Sequence, residues 1–105
     1  MIHDAHAATR VVGRRIAAVR QARRLSQAAL AERLGWPRDT LAHYEYGRRA
    51  LTIERLAAVA AALGVHPAAL LVDDPALAAL LTRLIDNVEL WQQVAFFVDT
   101  LDAEI

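Results

Sequence analysis

The stretch from Ser26 to Gly47 is divided by its own residues into two short helices with almost nothing between them. Ser26 is a good N-cap, because its hydroxyl oxygen can accept a first-turn amide. "QAALAERL" follows it, and Gly35 suits the left-handed residue that ends many helices. Only Trp36 and Pro37 come before a further helical run, Arg38 to Tyr46, with Pro37 at the favoured first position and Gly47 at the end. A joint this tight holds the two helices against each other. It constrains the fold more than any property averaged over the chain.

The flanking sequence extends the helical pattern. Thr9 can cap a first helix running to about Arg24, with Val12, Ile16 and Val19 on one stripe. Thr52 can cap a fourth, in which Leu56, Val59, Ala60 and Leu63 repeat at helical spacing up to Gly64. His66-Pro67 opens a short fifth. Asp73-Asp74-Pro75, an acidic cap followed by proline, is the clearest boundary. The expected organisation is a flexible tail over residues 1–8, a five-helix domain over 9–72 and an acidic helical segment over 73–105 that dimerises or binds a partner. An all-α fold also suits a chain with 23 alanines, the best helix former. There is no cysteine for a disulfide or thiolate metal site. No apolar run approaches the ~20 residues of a membrane span, and "MIHDAHAATR" does not read as a secretory signal. A cytoplasmic protein, nucleoid-associated when bound to DNA, is expected.

Net charge is zero, but it is unevenly placed. Residues 1–72 hold eleven arginines against five acids, a net of +6, and residues 73–105 hold Arg83 alone against seven acids, a net of −6. A basic first part suggests a polyanionic partner, and an acidic remainder suggests a part that stays off it. In the third helix Leu41 and Tyr44 point one way, with Glu45 beside them. Asp39, Ala42, His43 and Tyr46 point the other way, flanked by Arg38. Arg can bind guanine O6 and N7, and Asp can accept from cytosine N4. Arg38, Asp39 and His43, with Thr40 on the flank, are therefore candidate base readers. Asp39 is also placed to complement the helix N-terminal dipole.

Two charges fall on faces that should be apolar: Arg20, four residues after Ile16, and Glu45. Either one buried alone would be very costly. Together they read as one ion pair tying the first helix to the end of the third. Candidate phosphate contacts are Gln27, at the N-terminus of the second helix, and Tyr46, Arg48 and Arg49 at the end of the third.

From about Val12 to Leu71 the chain resembles the Cro/C1-type (XRE-like) family of bacterial and phage DNA-binding proteins. The residues carrying the resemblance are "VGRRIAAVRQARRLSQAALAERLG", "TLAHYEYGRR" and "TIERLAAVAAALGV". It implies a lambda-repressor-like domain, with the third helix in the major groove of double-stranded DNA and an Arg–Glu pair at the positions of Arg20 and Glu45. This sequence departs from the family pattern in three places. Pro37 stands where a capping Ser or Thr is usual, which shifts the cap to the preceding residue. Ala29 replaces the Glu of a capping box, and Asp39 puts a negative charge in the groove-facing row.

Beyond Pro75, Leu77, Leu81, Leu84, Val88, Trp91, Ala95 and Val98 form a heptad-like stripe. Asp86-Asn87 can break this segment into a hairpin, which is the preferred reading, although the stripe also permits one long helix. The apolar arc includes Leu90, Trp91, Val94, Phe97 and Leu101 and is too wide for one neighbour to cover, with Phe96 on the opposite face. These six are candidate dimer contacts. A homodimeric repressor reading a palindrome is the preferred function. The alternatives are an antitoxin whose C-terminal helices hold a toxin or regulatory protein, and an interaction module that has lost DNA binding. No catalytic arrangement, metal site or cofactor signature stands out.

Overall fold

A computed structural model describes residues 5–103 and is all-helical over that range. Helices α1 (Ala5–Ala22), α2 (Gln27–Leu34), α3 (Arg38–Glu45) and α4 (Ile53–Leu63) precede a 3₁₀ turn, Pro67–Leu70. Helices α5 (Pro75–Ile85) and α6 (Val88–Ala103) follow it. The first four helices and the 3₁₀ turn form the head, in the five-helix order that the resemblance implies. Helices α5 and α6 are the C-terminal extension, a hairpin broken at Asp86-Asn87 rather than one long helix.

Most helix ends sit where the residues direct them. Ser26 Oγ accepts from the Ala29 amide at 3.0 Å, and Gly35, at φ +71°, ends α2 in the left-handed region. Thr52 Oγ1 accepts from the Arg55 amide at 3.2 Å. Asp74 Oδ1 accepts from the amides of Ala76 and Leu77, with Pro75 opening α5.

Three boundaries differ from expectation. Helix α1 begins at Ala5 rather than after Thr9, so residues 5–8 of the expected tail are helical, and residues 1–4 of it lie outside the described residues. The same helix stops at Ala22. Arg24 takes the left-handed region at φ 57°, and the Leu25 amide returns to the Arg20 carbonyl at 3.1 Å. This reversal turns Leu25 back toward the core. Finally, Pro37 is the N-cap of α3 and not its first helical residue. Its φ of −58° and ψ of 143° are extended, and no side chain caps the helix, at Trp36 or elsewhere.

The core sits where α1 crosses α3 and α4 and where α2 closes on α3 and α4. Ile16, Leu30, Leu41, Val59 and Leu70 are fully buried at its centre, with Val12, Val19 and Leu63 around them. Burying one such side chain is worth ~1.5–3 kcal/mol, so this cluster dominates the stability of the head. A close approach of two helices falls at Gly13. A Cβ there would lie 2.5 Å from the Tyr44 carbonyl oxygen and 2.6 Å from that of Glu45, so glycine lets α1 press against the end of α3.

The extension is much less enclosed. Helix α5 rests on the 3₁₀ turn through buried Ala78, and α6 packs against α5 with no buried residue of its own. The radius of gyration is 15.7 Å, against about 13 Å for a compact domain of this length. Among the described residues no helix is long and apolar enough to cross a membrane.

Candidate nucleic-acid interface

The geometry of α3 begins with the charges inside the head. Arg20 Nε donates to Glu45 Oε2 at 2.7 Å and a second guanidinium nitrogen donates to Oε1 at 2.9 Å, a bidentate pair between α1 and the last turn of α3. A third nitrogen donates to the Leu25 carbonyl at 2.8 Å, and Gln27 Nε2 donates to Glu45 Oε1 at 3.0 Å. Hydrogen bonding to Glu45 raises the Arg20 guanidinium above its ordinary value, although burial pulls the other way. Glu45 thus ties α1, α2 and α3 together at one carboxylate. Gln27, expected at phosphate, spends its amide nitrogen on this network. The sequence carries no sign of that contact, because Gln27 and Glu45 meet only when α2 is folded across α3.

A second assembly fixes the opposite side of α3. The Trp36 and Tyr44 rings meet edge to face, with centroids 5.7 Å apart. The Arg55 guanidinium lies 5.0 Å from the Trp36 centroid and donates to the Tyr44 hydroxyl. Trp36 is thus a packing residue at the joint between α2 and α3. Arg55 was not foreseen, since its role depends on the first turn of α4 reaching back to the turn between α2 and α3.

With both sides held, the outer face of α3 forms a shallow groove of about 340 Å³. Gln27, Arg38, Asp39, Ala42, His43, Tyr46 and Arg48 line it. Three candidate base readers and three candidate phosphate contacts are thereby gathered in one concavity. Thr40 is half-buried and outside the groove; Arg49 is exposed and also outside it, its guanidinium 5.7 Å from the Tyr44 ring centroid. Arg48 lies 5.2 Å from the Tyr46 centroid, so these two residues present a stacked cation and hydroxyl at the groove's edge. Among the described residues the salt bridges are Arg20–Glu45 and the exposed Arg14–Asp73 contact. The charges of Arg38, Asp39 and Arg48 are therefore not spent on ion pairs within the head. Such a surface offers donors and acceptors at the edge of a helix narrow enough for the major groove.

The family model that matches the chain is described as helix-turn-helix and covers residues 16–70, which spans the head from the middle of α1 to the end of the 3₁₀ turn. The chain belongs to the helix-turn-helix family of the Cro/C1 type. Two solved structures are similar to it. The restriction-modification controller protein C.AhdI from Aeromonas hydrophila is 31% identical, covering 59% of this chain and 94% of its own, with a TM-score of 0.57. The clp gene regulator ClgR from Corynebacterium glutamicum is 24% identical, covering 83% of this chain and 93% of its own, with a TM-score of 0.61. The second likeness is one of fold. Among curated proteins no sequence matches. Family and neighbours together give the chain the fold of helix-turn-helix DNA-binding transcriptional regulators.

Proposed function

We propose that this protein is a sequence-specific transcriptional regulator that acts as a homodimer on a palindromic operator, most simply as a repressor. The observation that carries the reading is the groove on α3, whose polar side chains are free to face outward because the Arg20–Glu45 pair and the Arg55 assembly fix the helix from behind. Arg38, Asp39 and His43 read base edges, with Thr40 at the flank. Tyr46, Arg48, Arg49 and the remaining polar atoms of Gln27 meet phosphate and fix register.

Dimerisation belongs to the hairpin. Trp91, Phe97 and Leu101 are 44%, 60% and 46% exposed, so the one neighbour of α6 leaves its apolar arc largely open. Leu90 and Val94 are half-buried one turn apart and complete the same arc. Phe96, 74% exposed among Glu89, Gln92 and Gln93, lies on the opposite face of α6 and would meet a second copy only at the edge of the contact. A two-fold interface needs only this patch twice, and it sets two basic heads roughly one DNA turn, about 34 Å, apart. The acidic surface of the hairpin stays away from phosphate.

Selection of bound sequences from random DNA by the purified protein tests the reading. A palindromic consensus with two half-sites is expected. Recovery of no enriched sequence at low salt would sink it, and copurification of a small partner protein in place of a dimer would redirect the hairpin to toxin binding.

A further inference from the structure

Arg15 is a second buried arginine, 8% exposed, and unlike Arg20 it has no carboxylate partner among the described residues. Its one hydrogen bond within the described residues runs from Nε to the Ala69 carbonyl at 3.5 Å, the outer limit for such a bond. Its two terminal nitrogens carry no hydrogen bond within the described residues and keep access to solvent. The surroundings show what solvent-filled space they can meet a partner in. Helices α1 and α5 both pack on the 3₁₀ turn, and a cavity of about 270 Å³ remains between them. Arg15, Val19 and Arg23 line it on the α1 side, spaced four residues apart. Ala78, Ala79 and Thr82 line it on the α5 side, and the two alanines leave the space open. Arg23 is likewise without an ion pair among the described residues, and the Thr82 hydroxyl donates to the Ala78 carbonyl at 3.1 Å. No acidic side chain lines the cavity.

We propose that this cavity is a binding site for a small organic carboxylate, held by the Arg15 guanidinium at its inner end with Arg23 at its mouth. The apolar side chains between the two arginines favour an anion with an apolar body over a compact oxyanion. Carboxylate and guanidinium match in a bidentate geometry, and the low-dielectric surroundings strengthen the pair. None of the lining residues belongs to the groove on α3, so the site is separate from the DNA-facing surface. An occupant touches head and hairpin at once.

The test is a titration of the full chain with sodium benzoate, followed through the NMR signals of the arginine Nε–H groups and through Tm. Saturable movement of the Arg15 and Arg23 signals is expected, with those of Arg48 and Arg49 unmoved and Tm rising. Arg15→Met should weaken the response by about tenfold or more. Ala79→Phe, which fills the cavity from its exposed rim and leaves Arg15 in place, should do the same and keeps the test valid if Arg15→Met fails to fold. Inorganic phosphate should bind more weakly than benzoate. The site is overturned if all arginine signals drift together without saturation, or if benzoate binds equally well to Ala79→Phe. Phosphate binding as tightly as benzoate would overturn the apolar-bodied class of ligand. DNA selection by the same protein is read independently of each of these outcomes.

Discussion

The head and the hairpin are both rich in apolar residues, yet they use them differently. In the head, four helices and a 3₁₀ turn surround one point, and Ile16, Leu30, Leu41, Val59 and Leu70 lose all contact with solvent. In the hairpin the two helices pack chiefly on each other and on the edge of the 3₁₀ turn. Ala78 is the sole buried residue of α5, and α6 has none. The difference is one of layers rather than composition. An apolar helix arc wider than about 100° needs more than one neighbour, and the hairpin supplies one. The head therefore encloses its apolar residues with its own helices, while the hairpin leaves much of its apolar arc exposed in the single chain.

The largest expected effect on this contrast comes from inside the head. Arg20→Ala leaves Glu45 buried with Gln27 as its remaining side-chain donor and should cost ~3–5 kcal/mol. DNA binding should fall mainly through unfolding, and an unchanged melting temperature would refute the importance of the pair.

A second effect separates the two regions by association. Phe97→Asp should convert a full-length dimer to monomer at micromolar concentration in sedimentation, with the helical content of the head intact. Residues 1–72 alone should behave in the same way, folded, monomeric and weak on DNA. A folded dimer of residues 1–72 would move the interface into the head.

Smaller effects lie on the surface of α3. Arg38→Ala should cost ~1–3 kcal/mol on the preferred site and relax the preference at one base-pair position. Arg48→Ala should weaken all sequences alike and flatten the salt dependence. Uniform losses in both variants across a site library would mean that α3 does not lie in the groove as placed.

The smallest change expected is in the rim of the hairpin. Phe96→Ser removes a side chain surrounded by polar residues and should alter the stability of the isolated monomer by no more than ~0.5 kcal/mol. A larger loss in thermal unfolding under monomeric conditions would show that Phe96 is covered within a single chain.

Much of this molecule was legible from its residues because helix punctuation is local. Ser26, Gly35, Thr52, Asp74 and Pro75 act on amides and dihedrals within a few residues, so their effect does not wait for the fold. The Arg20–Glu45 contact was legible for another reason: two opposite charges on apolar faces have few affordable arrangements. Only the tertiary structure decided which small or polar residues would meet across elements. Nothing near Gly13 in sequence announces the Tyr44 and Glu45 carbonyls. Gln27 takes Glu45 rather than remaining wholly free for phosphate, and Arg55 reaches Trp36 and Tyr44 from the next helix. Arg15, not a member of the Val12, Ile16 and Val19 stripe, is buried where α1 packs on the 3₁₀ turn. Burial of that kind depends on how helices cross, and crossing is a property of the packed whole rather than of any stretch of chain.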